Sequence, residues 1–191
     1  MWTTKPAFSR EWWDRSPLPQ PQFYSPDYYW SHADHATLLA LLARLKPRSV
    51  LEFGPGLSTL TFAEAGVGQI DTYDDQVDYL SRAQDLLSQF PQISIRLYDR
   101  RRVPLFLPRA EPRYDLGFVD GPYIQEQRQP EIDYALGRCS AVIVHDSHCR
   151  PIVAMLRALH EERGLTVEDH MTDAPHEHGT TGYGMALIHA S

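Results

Sequence analysis

Short apolar or alternating runs take turns with segments of helical periodicity along most of this chain. Such runs are typical of strands, whereas apolar residues three and four positions apart are typical of helices. The pattern predicts strands at residues 49–53, 69–74, 93–98, 115–119, 141–145, 165–169 and 183–189. It predicts helices at residues 33–45, 58–65, 77–89, 130–138 and 151–163.

The alternation of strands and helices predicts an α/β fold with a mostly parallel sheet, because parallel neighbours need a long crossover that is usually helical. No clear helix separates the last two predicted strands. We therefore expect them to pair like a hairpin, so that one of them is antiparallel. The predicted domain is a mostly parallel sheet with an antiparallel last strand and helices on both faces.

An acidic residue lies at the end of each of the first five predicted strands. These acids are Glu52, Asp74, Asp99, Asp120 and Asp146. Ligands of open α/β sheets bind beyond the carboxyl ends of the strands. The sequence therefore predicts a polar ligand site at this edge of the sheet.

The most informative segment is residues 48–59, which has the pattern of a strand, a tight turn and a helix. Gly54 and Gly56 would let the backbone approach a ligand closely, and the amides that begin the helix would attract negative charge. Glu52 in front of them would attract positive charge. A turn with both polarities suits a zwitterion, such as the amino acid end of S-adenosylmethionine.

Composition and charge narrow the class of protein. The 191 residues are 42% hydrophobic, which predicts one domain with a substantial core. Lys and Arg number 18 against 25 Asp and Glu, a formal charge of -7 that argues against binding of duplex nucleic acid. The one dense basic run, residues 100–102, is typical of a solvated turn.

The two cysteines, Cys139 and Cys149, form neither a disulfide framework nor a zinc pattern, which fits a reducing compartment. No apolar run is long enough to predict a membrane span, and the N-terminus lacks the apolar stretch of a secretory signal. We expect a cytoplasmic protein that binds no membrane.

Residues 1–30 differ in composition from the rest of the chain. They contain all four tryptophans and several prolines, which interrupt any long helix. We interpret them either as an extended arm packed on the domain or as a lid over a substrate pocket. Residues 31–191 would then form the main domain.

Four segments together resemble the class I S-adenosylmethionine-dependent methyltransferase family. They are residues 50–59, 73–75, 114–122 and 182–188, and the resemblance covers roughly residues 30–190. It implies a Rossmann-like seven-stranded sheet and S-adenosylmethionine as the methyl donor.

The resemblance also implies roles for individual residues. Glu52 would favour the ammonium of the methionine moiety, and Asp74 would accept hydrogen bonds from the ribose hydroxyls. Asp99 would accept from the adenine amino group, and Asp120 would lie beside the reacting methyl group. The full expected set of cofactor-binding residues is Glu52, Gly54, Gly56, Ser58, Thr59, Asp74, Asp75, Tyr98, Asp99 and Asp120.

Other interpretations of these residues stay open at the level of sequence. Asp74 and Asp75 also fit a helix N-cap, and Asp99 also fits a solvated turn. A nicotinamide-binding fold uses a similar turn and a later acid, but its fingerprint requires glycine where this chain has Thr59.

Residues 144–148 provide the second group of candidates. Transfer to a hydroxyl requires removal of a proton, so a general base or a metal is expected near the ends of strands four and five. The catalytic candidates are Asp120, His145, Asp146 and His148.

A divalent ion such as Mg or Mn could be held by Asp120, Asp146 and His148. The catechol-type pattern of the family, however, places Asn after the second acid, where this chain has Ser147. A metal-free acid/base role for Asp146 or His148 and a purely structural role both remain open.

The sequence thus predicts a methyltransferase, with a hydroxyl of a small molecule or a sugar as the favoured acceptor. Residues 119–122 resemble a branch of the fold that methylates sugars. The alternatives are a non-catalytic S-adenosylmethionine-binding protein and another transferase that uses the same nucleoside site. A homodimer through the apolar helix at residues 37–45 also remains open.

Overall fold

A computed structural model describes residues 32–77, 81, 84, 87, 90–98, 113–122, 125–175 and 181–189. The predicted N-terminal arm, the basic run at residues 100–102 and the candidate Asp99 all lie outside the described residues. Within the described part of the chain, no helix has the length and apolar character that crossing a membrane requires.

Seven strands form one sheet. They are β1 (Ser49–Phe53), β2 (Gln69–Asp74), β3 (Ile93–Leu97), β4 (Tyr114–Val119), β5 (Cys139–His145), β6 (Thr166–Pro175) and β7 (Thr181–His189). Their order across the sheet is β3-β2-β1-β4-β5-β7-β6. All pairs from β3 to β5 are parallel, whereas β7 runs antiparallel to both β5 and β6. The predicted fold class is confirmed, with β7 as the antiparallel strand.

The helices whose bounds are described pack on both faces of this sheet. They are α1 (His32–Leu45), α2 (Leu57–Glu64), α3 (Gln129–Leu136) and α4 (Arg150–Arg163). Apolar residues of α1 and α2 pack against one face, and those of α3 and α4 pack against the other. Helical residues also occur between β2 and β3, at Val77, Ser81, Gln84 and Leu87.

Side chains that point alternately to the two faces of each strand explain why the sheet has a core on both sides. In β1, Val50 belongs to the core on the α1 and α2 side, and Leu51 and Phe53 belong to the core on the other side. Since successive side chains of a strand point to opposite faces, Glu52 points toward α1 and α2. His145 follows Ile143 on that same face.

The order of the strands reverses between β1 and β4. These two strands are parallel neighbours, yet the chain runs from β1 to β2 in one direction and from β4 to β5 in the other. The crevice at such a switch point is where open α/β sheets bind their ligands. The loops after β1 and β4 are therefore the ones that position the candidate site.

Candidate active site

The loops that follow β1 and β4 are in direct contact. The amides of Asp120 and Gly121 both donate to the carbonyl oxygen of Phe53, each at 2.9 Å. Gly54 has φ 93, and a Cβ on it would lie 2.9 Å from the nitrogen of Gly121. Only glycine adopts this conformation at little cost and permits this approach. The contact places Asp120 beside the glycine turn.

Glu52 lies beneath the turn, fully buried. The Ser58 hydroxyl donates to its Oε1 at 2.5 Å, and the Thr59 hydroxyl donates to its Oε2 at 2.7 Å. Thr59 Oγ1 also accepts from the Gly56 amide at 2.9 Å. The carboxyl group thus ties the glycine turn to the first turn of α2, where the helix dipole favours negative charge.

Burial raises the pKa of Glu52 to about 7, and the hydrogen bonds from Ser58 and Thr59 limit the increase. The structure therefore places Glu52 behind the hydroxyls of Ser58 and Thr59 rather than at an open surface. A positive group near the turn would interact with its charge across this layer.

Gly56 differs from Gly54 in its surroundings. A Cβ added to Gly56 would meet no described atom within 4 Å. Among the described residues, the space beside Gly56 is therefore open, at the point where the sequence predicts the ligand to approach.

Asp74 ends β2 and is almost fully buried. Burial raises the pKa of its carboxyl group to about 7, partly offset by the hydrogen bond from the Gln76 amide at 2.7 Å. Asp75, also a predicted site residue, follows it and is partly buried. A carboxyl group buried at a strand end in this way is typical of a ligand site.

Tyr98, a predicted cofactor-binding residue, is buried and belongs to the core. Its ring packs edge-on against Phe53 with centroids 5.7 Å apart, and its hydroxyl donates to Glu131 Oε1 at 2.9 Å. These contacts join Tyr98 to residues distant in the chain, which the sequence alone could not establish. Tyr98 therefore supports β1 and α3 from behind.

Asp120, His145 and Asp34 form a buried row of charges on the α1 side of the sheet. His145 Nδ1 lies 2.9 Å from Asp120 Oδ1, and its Nε2 lies 3.4 Å from Asp34 Oδ1. Asp34 and His145 are buried, whereas the Asp120 side chain retains 30% of its exposure. Asp120 is therefore the member of the row that a ligand could reach.

In the contact between His145 and Asp120, the two side chains have opposite pKa shifts. Burial by itself lowers the pKa of His145, but the carboxylates of Asp120 and Asp146 outweigh it and hold the pKa well above 6.5. Burial by itself raises the pKa of Asp120, but His145 and Arg128 outweigh it and lower the pKa. The pair is thus an imidazolium and a carboxylate, which titrate together.

Arg128 is the central cation of the cluster and is buried just before α3. Its Nη2 donates to Asp146 Oδ2 at 2.9 Å and lies 3.5 Å from Asp120 Oδ1. Its Nε donates to the carbonyl of Pro122 at 2.9 Å, and its Nη1 donates to the carbonyl of His145 at 3.2 Å. The guanidinium therefore joins the ends of β4 and β5.

Asp146 and His148 lie in the turn between β5 and α4. Asp146 has φ 59, a left-handed conformation that Asp tolerates better than most residues, and its carbonyl accepts from the Cys149 amide at 2.9 Å. His148 Nε2 lies 3.5 Å from Cys149 Sγ. Asp146 is the residue that connects this turn to the acid–base cluster.

The predicted metal ligands are not grouped as expected. Among the described residues, one group whose potential ligand atoms all lie within 4.8 Å contains Asp120, His145 and Asp146, and another contains Asp146, His148 and Cys149. Asp120, Asp146 and His148 do not form such a group. The expected trio is therefore divided between two groups that share Asp146.

Sequence reasoning missed Asp34 and Arg128. Asp34 resembles an ordinary acid in the first turn of a helix, but it is buried. Arg128 stands in a run of Gln and Glu that resembles an exposed loop. The available signal was a single Arg beside a predicted site, which is too common to be specific.

No protein-family model and no curated protein sequence matches this chain. Several solved structures, however, match this chain. The O-methyltransferase TomG from Streptomyces achromogenes, solved with S-adenosylmethionine, is 19% identical with TM-score 0.71, and the match covers 96% of this chain and 92% of that one.

Two further solved structures have the same architecture. An O-methyltransferase from Bacillus cereus, solved with S-adenosylhomocysteine, is 16% identical with TM-score 0.62, covering 84% of this chain and 82% of that one. A Pyrococcus horikoshii protein described provisionally as an RNA methyltransferase is 14% identical with TM-score 0.62, covering 82% and 83%. This chain therefore has the fold of the class I S-adenosylmethionine-dependent methyltransferases.

Proposed function

We propose that this protein is an S-adenosylmethionine-dependent methyltransferase that methylates a hydroxyl of a small molecule or a sugar. The observation that carries the proposal is the contact between the loops after β1 and β4. It fixes the ionised carboxyl group of Asp120 beside the glycine turn at Gly54. Methyl transfer to a hydroxyl needs these two features together: a turn that binds the cofactor, and next to it a group that accepts the hydroxyl proton.

The cofactor side of the proposal rests on the glycine turn and on Asp74. The open space beside Gly56 would take the methionine end of the cofactor, with Glu52 contributing negative charge behind Ser58 and Thr59. Asp74 would accept hydrogen bonds from the ribose hydroxyls, because an ionised carboxyl group accepts with both of its oxygens. The similar proteins solved with this nucleoside support the assignment.

The acceptor side of the proposal rests on Asp120. The cofactor supplies a methyl group that is already activated by its sulfonium, so the protein mainly aligns the reactants. As the acceptor oxygen bonds to the methyl carbon and the carbon–sulfur bond breaks, the hydroxyl proton passes to the Asp120 carboxylate. A carboxylate of lowered pKa suffices, since the protonated ether that would otherwise form is strongly acidic.

His145 and Asp34 position this base. His145 donates to Asp120 from Nδ1 and faces Asp34 with Nε2, which fixes the orientation of the imidazole. The Asp120 carboxyl group therefore has one oxygen held by the protein and its exposed part directed to the ligand side. The negative charge of the chain and its few basic residues support a small acceptor over nucleic acid.

Calorimetry tests the cofactor assignment directly. We expect S-adenosylmethionine and S-adenosylhomocysteine to bind with one site per chain, and NAD to show no binding. A screen of hydroxyl-bearing acceptors with methyl-labelled cofactor then tests turnover. Binding of NAD alone would exclude the methyltransferase assignment, and cofactor binding without transfer to any acceptor would favour a non-catalytic binding protein.

Cofactor affinity is expected to rise with pH up to about pH 7. Glu52 and Asp74 both have pKa values raised to about 7, and in the proposed complex both act as carboxylates, Asp74 by direct contact and Glu52 through its charge. Below about pH 7 each group is protonated in the unliganded protein and must lose that proton when the cofactor binds. The affinity should therefore rise about tenfold per pH unit for each group. Calorimetry from pH 5 to pH 8, in buffers of different ionisation enthalpy, measures the protons released.

The free energy of unfolding of the unliganded protein should fall, rather than rise, as the pH increases toward 7. Because the folded-state pKa values are raised, the contribution of these two groups to stability is complete below their unfolded values and is lost as pH rises through about 7. Glu52→Gln and Asp74→Asn should each remove one proton from the linkage. A pH-independent affinity in the unsubstituted protein would contradict the assignment of both groups.

A further inference from the structure

We propose that the guanidinium of Arg128 takes the place of a divalent cation between Asp120 and Asp146, so that this site works without a bound metal ion. Asp120 and Asp146 follow β4 and β5, where the sequence resemblance allows a metal. The inference rests on the proposed function only for the position of the acceptor. Its test measures metal binding and does not depend on methyl transfer.

The first observation is where the donors of Arg128 are directed. One Nη2 lies 2.9 Å from Asp146 Oδ2 and 3.5 Å from Asp120 Oδ1, so a single nitrogen reaches both carboxyl groups. The other contacts, to the carbonyls of Pro122 and His145, hold the guanidinium in this orientation. A planar fork with several donors is suited to this bridging position.

The second observation is the balance of charge. Both carboxyl groups contact one guanidinium, a group that is always charged in proteins. A divalent ion that left Arg128 in place would lie next to this cation. Hard cations such as Mg²⁺ and Mn²⁺ favour carboxylate oxygens, and those available at this position already contact Arg128.

The third observation is that the predicted ligands are divided. His148 groups with Asp146 and Cys149 and does not join Asp120. The group at the two strand ends is instead Asp120, His145 and Asp146, and Arg128 already contacts both of its carboxyl groups. With Arg128 in this place, the residues present do not fit a metal ion.

Arg128 is accordingly a positioning residue. Its donors are used within the protein, and 3% of its side chain is exposed, so it does not itself meet the acceptor. It pairs with Asp120 and Asp146 and holds them at the ends of their strands. A metal ion has this function in enzymes that bind one at a comparable position.

Titration with Mn²⁺, followed by electron paramagnetic resonance, tests the inference. We expect the unsubstituted protein and Arg128→Lys to bind no stoichiometric Mn²⁺, since both retain a cation between the carboxyl groups. Arg128→Gln removes the charge and is expected to bind one Mn²⁺ about tenfold or more tightly than the unsubstituted protein. Adding Asp146→Asn to Arg128→Gln should abolish the gain.

Two results would overturn the inference. One is stoichiometric Mn²⁺ binding by the unsubstituted protein that Asp146→Asn removes. The other is a folded Arg128→Gln variant, verified by circular dichroism, that gains no Mn²⁺ site. If Arg128→Gln does not fold, Mn²⁺ binding is compared between the unsubstituted protein and Asp146→Asn alone. Equal Mn²⁺ binding by these two proteins supports the inference. Cys149→Ser separates any site formed by His148 and Cys149, because it leaves the Arg128 contacts in place.

Discussion

Asp120→Asn is expected to lower kcat for methyl transfer by about 100- to 10,000-fold, the contribution typical of a positioned general base. The substitution keeps the shape of the side chain but removes the group that takes the acceptor proton. Cofactor affinity should stay nearly unchanged, because the glycine turn, Glu52 and Asp74 are untouched. Transfer from methyl-labelled cofactor, together with calorimetry of cofactor binding, measures the two quantities separately.

A matched control is Asp133→Asn. Asp133 is half-exposed and forms a surface ion pair with Arg163 at 2.6 Å, away from the candidate site. Such pairs contribute little to stability, so this variant should keep both activity and cofactor affinity. If Asp120→Asn retained the kcat of the control, Asp120 would not be the base. A parallel loss of cofactor affinity would instead assign Asp120 to the cofactor.

Gly54→Ala is expected to destabilise the protein by about 2–5 kcal/mol, the sum of a backbone strain and an overpacking cost. At φ 93 any side chain is strained, and the new Cβ would lie 2.9 Å from the nitrogen of Gly121. The loops after β1 and β4 would have to separate. Chemical denaturation measures the free energy of unfolding, and cofactor binding should weaken with it.

Gly56→Ala is the matched control within the same turn. Its Cβ meets no described atom within 4 Å, so the free energy of unfolding should change little. The methyl group would instead enter the space proposed for the methionine end of the cofactor, and the affinity should fall. Equal destabilisation by the two substitutions would contradict the contact between the loops. Unchanged affinity in Gly56→Ala would place the ligand elsewhere.

The elements of the sheet could be predicted because their signals are local. The predicted strand at 49–53 and that at 69–74 have the bounds of β1 and β2, and the lack of a helix after residue 169 correctly indicated the antiparallel pair. The prediction for β6 ended too early, at residue 169, since Thr166–Pro175 continues through polar residues. There cross-strand pairing with β7 outweighs the weak apolar pattern.

The positions of the acids Glu52, Asp74, Asp120 and Asp146 at strand ends followed from the same local signals. Periodicity establishes where each strand stops, and parallel strands present their carboxyl ends at one edge. The sequence therefore predicted that these candidates lie at one edge of the sheet. It did not predict which of them would be buried, paired or accessible.

Those properties arise only from contacts between segments distant in the chain. Arg128 meets Asp146 across 18 residues of sequence, and His145 at the end of β5 meets Asp34 in α1. Neither Arg128 nor Asp34 belongs to a recognisable pattern, because an isolated charge in a loop or a helix start has no period. The sequence by itself determined the fold and the edge at which chemistry is expected. Only the tertiary structure decided that a buried guanidinium neutralises the paired carboxyl groups, because charge compensation depends on distance in space.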